Sequence, residues 1–164
     1  NKMLKKHLVD FFIIIFIFLI DRISKLLIIG SPETYEQYGI SITPFLNFNL
    51  IWNEGIAFGL LSFDEKSYYN ILTIFIILVT TAIIWLMFKS KGFERFSFIM
   101  IIGGSLGNIF DRILYSAVPD FIDIHINNFH WFIFNVADIF ITLGIIFLIC
   151  IEIFSNKKVK NVDY

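Results

Sequence analysis

Asp120 and Asp138 stand out in a chain poor in ionisable groups, because neither has a sequence-local cation besides Arg112. Two carboxylates brought to one place cannot both ionise cheaply, so they hold one proton between them. Such a pair does general acid–base work: the ionised member takes a proton from a water, and the protonated member donates to a carbonyl oxygen. Other polar residues fall at helical spacing. Asp21 and Lys25 are i,i+4, as are Asn108 and Arg112, so each pair shares a helix face. An Asp–Lys pair and an Asn–Arg pair holding a helix bundle together would serve Asp21, Lys25 and Asp111 as well as a functional role would. It leaves Asp120 and Asp138 unexplained.

The elements that must position these residues are membrane helices. Of 164 residues, 57% are hydrophobic and only 16% charged, with 21 Phe. A soluble domain this small could not cover that much apolar surface. The net charge of −1 leaves no basic footprint for nucleic acid, and the single cysteine, Cys150, excludes an intrachain disulfide and a Cys-based metal site. Apolar runs at Leu8–Ile29, Ser67–Phe88, Phe96–Leu114 and Phe132–Phe154 each approach or exceed a bilayer span. The first is read as an uncleaved helix, since no Ala-x-Ala site follows it. Lys2, Lys5, Lys6, Lys89, Lys91, Arg95, Lys157, Lys158 and Lys160 fall on one side of these spans and Lys66 on the other. Both termini are therefore expected in the cytoplasm, with 30–66 and 115–131 outside.

Helical rise then gives depths. Asp21 and Asn108 lie about 20 and 18 Å from the inner face, and Asp138 about 9 Å below the outer one, so they share a layer in the outer half. Lys25, Asp111, Arg112 and Asp120 lie at or just above it. Outside the spans, residues 39–52 alternate partially and predict two short strands before a turn at Asn53-Glu54-Gly55. The expected fold is a mainly α, four-transmembrane-helix bundle with a small extracytoplasmic β-cradle and a short outer loop or helix, all one membrane domain over 1–164. Asp10 is expected at the inner interface. Gly103-Gly104-Ser105-Leu106-Gly107 matches a G-x-S-x-G nucleophile elbow, but inside a membrane helix such small residues serve close packing. His125 and His130 lack a third ligand at helical spacing and are read as solvated or interfacial rather than metal-binding.

With these residues placed, the sequence resembles bacterial lipoprotein signal peptidases, the signal peptidase II family, over nearly its whole length. Asp21-Arg22-Ile23-Ser24-Lys25 matches D-x-x-[ST]-K, and Asn53 to Phe58 matches N-x-G-x-[AS]-[FW]. Gly103 to Arg112 matches a motif ending N-x-x-D-R. Val118-Pro119-Asp120-Phe121 and Phe134-Asn135-Val136-Ala137-Asp138 match the two motifs that carry the family's catalytic aspartates. Two positions depart from the pattern: Pro119 replaces a β-branched residue, and Ile139 replaces a small one.

The resemblance implies an intramembrane aspartic endopeptidase of the bacterial inner (plasma) membrane, with its site near the outer leaflet. It would cleave prolipoproteins before the diacylglyceryl-modified lipobox cysteine, with Asp120 and Asp138 catalytic. Substrate-binding or supporting positions are Asp21, Lys25, Asn53, Gly55, Gly104, Asn108, Asp111, Arg112, Asn135 and Ala137. Asn108 and Asn135 are expected to hold the peptide backbone, and Arg112 to bond substrate carbonyls and bias the aspartates. Neither cofactor nor metal is expected. The partners are diacylated prolipoproteins and membrane lipids, with no nucleic acid, and the chain is expected to act as a monomer. The competing reading is a small transporter or channel subunit using buried charges as an ion or proton path. Charges confined to one half of the membrane argue against it.

Overall fold

The computed structural model describes residues 2–35, 39–55, 65–127 and 129–160. Helix α1 (Lys2–Ile29) is followed by strands β1 (Ile40–Thr43) and β2 (Leu46–Asn53), then α2 (Glu65–Lys89) and α3 (Gly92–Tyr115). Strands β3 (Val118–Ile126) and β4 (Phe129–Phe134) follow, and α4 (Val136–Lys160) closes the chain. The chain breaks sharply where its residues allow: Asn127 turns β3 into β4 with φ 53°, and Ser116 ends α3 with φ 56°.

Helix α3 is the axis of the bundle and packs against α1, α2 and α4. Small residues let the helices close on it. A methyl on Gly104 would come within 2.5 Å of the Ala137 carbonyl of α4, and one on Gly103 within 2.8 Å of Ile17 of α1. This is the packing role expected for the Gly103–Gly107 stretch. Ser105 sits within continuous helix, without the strand-to-helix turn that a serine nucleophile needs. Three described helices carry segments long and apolar enough to cross a membrane: Tyr69–Lys89, Gly92–Tyr115 and Val136–Ser155. In α1 the apolar run is interrupted by Asp21, Arg22 and Lys25.

All four strands form one antiparallel sheet in the order β1-β2-β3-β4. The strands expected in 39–52 are present. The second outer connection differs from the expected loop or short helix: it is strand, and α4 starts at Val136 rather than near Phe132. A continuous apolar run such as Phe129–Phe134 does not reveal its period. Cross-strand partners decide it, with Ile122 opposite Phe134 and Asp123 opposite Ile133. Pro119 is tolerated because β4 pairs only from Ile122 onward, so no ladder bond is lost on that side.

Two apolar clusters bracket a polar layer. Met87, Phe98, Ile99, Ile101 and Ile102 join α2 to α3, while Ile28, Leu50 and Phe121 tie the end of α1 to the sheet. Asp21 and Lys25 lie between them on α1.

Candidate active site

The end of β4 and the start of α4 set the geometry. Asn135 is the residue before the helix, and Asp138 is its third helical residue. The Asp138 backbone N–H donates to Asn135 Oδ1 at 3.1 Å, and the Asn135 backbone N–H donates to Asp138 Oδ2 at 3.1 Å. This is a reciprocal capping box, which satisfies two helix-end donors and fixes the Asp138 rotamer. A further helix-end donor, Ala137 N–H, bonds Asp21 Oδ1 from α1 at 2.8 Å. Ala137 is fully buried there, wedged against Gly104.

Asp120 reaches the same place from β3. Asn135 Nδ2 donates to its Oδ1 at 2.6 Å, and Asn53 Nδ2 donates to its Oδ2 at 2.9 Å. Ile51 is the strand partner of Asp120, so Asn53, two residues along β2, is its diagonal neighbour. Asp138 receives its other side-chain donor from α3, with Asn108 Nδ2 at 2.8 Å.

Three asparagines thus work with one polarity. Lys25 Nζ donates to Asn108 Oδ1 at 2.9 Å, Gly55 N–H to Asn53 Oδ1 at 2.8 Å, and Asp138 N–H to Asn135 Oδ1. With each carbonyl end held by a donor, each amide nitrogen must face an aspartate. Asn108 and Asn135, expected to hold a peptide backbone, each give one amide N–H to an aspartate, Asp138 and Asp120 respectively. Gly55 makes its turn possible at φ 75°, where a Cβ would meet Leu72 at 2.8 Å and Arg112 Nη1 at 3.1 Å.

Behind the aspartates lies a buried charge cluster. Lys25, fully buried, donates to Asp21 at 2.8 Å and to Asp111 at 2.6 Å. Asp111 also pairs with Arg22, which donates to the Tyr115 hydroxyl at 3.1 Å. Two acids and two bases leave the cluster neutral, which makes its burial tolerable. Arg22 escaped the sequence reading, as did the Asp10–Arg95 pair near the other end of α1. Asp10, expected at the inner interface, is buried against Arg95 Nε at 3.0 Å, and Arg95 also donates to the Met87 carbonyl.

A further expectation changes. Asn108 and Arg112 share a helix but do not pair. The Arg112 guanidinium lies over the Tyr69 ring, 5.5 Å from its centroid, with Nε and Nη1 buried and without hydrogen-bond partners among the described residues. His125 and His130 are cross-strand partners, with His130 bonded to the buried Asp123 at 2.8 Å and both ring nitrogens of His125 buried. Among the described residues, no group of three His, Cys, Asp or Glu could hold a metal. Ile56–Phe58, the end of the Asn53 motif, lie outside the described residues.

Burial pushes the Asp120 carboxyl from an ordinary 3.8 up to about 6. The charge of Asp138 adds to the rise, while the Asn53 and Asn135 donors and Lys25 oppose it. Two clefts flank the pair. One, of about 440 Å³, is lined by Ile51, Trp52, Asn53, Glu54, Asp120 and Ile133. The other, about 230 Å³ and almost wholly apolar, is lined by Phe132, Phe134, Asp138, Ile139, Thr142 and Leu143.

Residues 13–154 match the family model described as signal peptidase (SPase) II. The chain belongs to that family. Membership makes it a membrane protease. A lipoprotein signal peptidase of Pelagibacter ubique (strain HTCC1062) is 51% identical over 158 residues, covering 96% of this chain and 95% of the relative. Another, from Francisella tularensis subsp. novicida (strain U112), is 39% identical, covering 95% of this chain and 98% of the relative. A solved bacterial membrane enzyme superposes with TM-score 0.73 at 29% identity, covering 92% of this chain and 90% of that one. A second gives 0.71 at 30% identity, covering 87% and 90%. This signal peptidase II fold is a set of membrane helices with a small antiparallel sheet.

Proposed function

We propose that this signal peptidase II, which removes signal peptides from prolipoproteins, is an aspartic endopeptidase with Asp120 and Asp138 as its proton-transfer pair. The observation that carries the reading is Asn135, one residue that serves both carboxylates, Asp120 through its side-chain amide and Asp138 through its backbone N–H. Each carboxylate oxygen accepts one fixed protein donor, which leaves lone pairs for a water and for the shared proton. The ionised member removes a proton from water as it attacks the scissile carbonyl. The protonated member donates to the carbonyl oxygen. The member that took the water proton then passes it to the leaving amine, and the first regains its proton as the diol collapses to the carboxyl product. The unpartnered Arg112 Nε and Nη1 supply donors for substrate carbonyls.

The scissile bond precedes the diacylglyceryl-modified cysteine, so an acyl chain must pass close to the pair. The apolar groove beside Asp138 accepts it, and the cleft beside Asp120 takes the peptide that follows. The chain forms one membrane domain with four spans, α1 being the fourth, because its interrupting charges turn inward to partners on α3. Its Lys and Arg distribution supports cytoplasmic termini and a site toward the outer leaflet of a bacterial inner membrane. The chain acts on its substrate as a monomer among membrane lipids.

The test is cleavage of a diacylated prolipoprotein by Asp120→Asn and Asp138→Asn at matched abundance. Asparagine keeps the shape but cannot exchange a proton, so each should lose about 10²–10⁴-fold in turnover. The double variant should lose little more. Near-normal turnover in either single variant would sink the assignment.

A further inference from the structure

We infer that Glu54 reads the charge of the first mature residues of the substrate, so the enzyme prefers basic over acidic residues just after the lipidated cysteine. The inference rests on the aspartic-pair reading above. Its ground is the unequal chemistry of the two clefts. The groove beside Asp138 is lined by aromatic and aliphatic side chains from β4 and α4. The cleft beside Asp120 is walled by the sheet and has mixed polar and apolar lining. A peptide whose mature part ends in water leaves by the cleft, because its backbone amides would go unpaired in the groove.

Among the described residues, the charged ones lining that cleft are Glu54 and Asp120, both acidic. The aspartate pair holds one proton and so keeps about one negative charge. Glu54 adds another at the rim, where its side chain is exposed. Arg112 lies under the Gly55 turn and over Tyr69, where it serves the substrate backbone, so among the described residues the exposed rim of the cleft carries the Glu54 charge alone. A substrate passing Asp120 therefore meets a negative field on the side where its mature part leaves. Glu54 follows directly on Asn53, which is bonded to Asp120, so its distance from the reaction is set by the strand. It touches no reacting atom and acts on specificity alone.

The experiment uses the full-length enzyme in detergent and three diacylated prolipopeptides. These carry Lys, Gln or Asp at both positions after the cysteine. At about 0.01 M ionic strength, where charges act over about 30 Å, kcat/KM should fall in the order Lys, Gln, Asp. The span should be about two- to fivefold, as for exposed charge pairs. It should collapse near 1 M salt, where screening acts within about 3 Å. Glu54→Gln should narrow the span with the Gln peptide unaffected, and Glu54→Lys should invert the order. Equal rates for all three peptides on the wild type, or an order unchanged in Glu54→Lys, would overturn the inference. Either result alongside an inactive Asp120→Asn leaves the aspartic pair standing, whereas an active Asp120→Asn removes the reading beneath both.

Discussion

Asn135 Nδ2 lies 2.6 Å from Asp120 Oδ1, so the strand residue proposed for proton transfer is held by the cap of a helix. The same asparagine exchanges two hydrogen bonds with Asp138. Helix start and catalytic geometry are thus one structure.

That coupling can be separated by substitution. Asn135→Ala should cost about 1 kcal/mol of stability as a lost cap and at least tenfold in turnover. Asn135→Ser should restore most of the stability, since serine caps well. It should not restore turnover, because a hydroxyl that caps the Asp138 N–H is too short to reach Asp120 as well. Thermal unfolding in detergent, with cleavage of the same samples, checks the split. Full activity in Asn135→Ser would show that the Asp120 bond does not matter.

Acidity follows from the raised Asp120 carboxyl. Loss of the shared proton should give kcat/KM an alkaline limb that begins near pH 6 and belongs to the pair. Asn53→Ala removes a donor that favours the ionised form, so the limb should move to higher pH. On stability the sign is opposite to that of a salt-bridged aspartate. A carboxyl raised by folding contributes stability fully present below about 3.8, which is lost as pH rises through about 6. Asp120→Asn should flatten that decline. A downward shift of the limb in Asn53→Ala would contradict the assignment.

Lys25→Met removes one cation from a neutral buried cluster and leaves an uncompensated acid. Breaking such a pair costs about 3–5 kcal/mol, so abundance in membranes should fall sharply. Adding Asp21→Asn restores neutrality and should recover abundance, measured by immunoblot of membranes. No recovery would mean that charge balance is not what Lys25 provides.

Ile139 lines the apolar groove beside Asp138. Ile139→Ala should widen the groove and raise kcat/KM for substrates with longer or branched acyl chains relative to short ones. The change should be on the order of 10-fold at most, as for a few methylenes in an apolar pocket. An unchanged chain-length preference in detergent assays would place the acyl chain elsewhere.

Legibility in the sequence followed the range of the interactions. The strands in 39–52, the Asn53 turn and the shared depth of Asp21, Asn108 and Asp138 could be read because period, turn chemistry and helical rise are local. The strand at Phe129–Phe134 could not, since its run of apolar residues fits either period until Ile122 and Asp123 pair with it. The pairing of Asn108 escaped for a similar reason. An i,i+4 neighbour, Arg112, is visible in the sequence, whereas Lys25 is 83 residues away. The direction of the asparagine amides depends on such distant donors, so their commitment to the aspartates emerges only from the assembled bundle.

The buried charges of α1 also set a schedule for synthesis. Lys25 and Arg22 find Asp111 only after 86 and 89 more residues have been made. At about 5–20 residues per second the ribosome needs roughly 4–17 s to supply it. Throughout that interval the C-terminal part of α1 carries Asp21 against two cations, a surplus positive charge that hydrocarbon does not accept without a partner. Helix α1 leaves the ribosome before α3 and is electrically complete only once α3 has followed. It must wait in the translocon or at the interface until α3 arrives, and a delay between the two would expose it to quality-control proteases before the enzyme had cleaved a single bond.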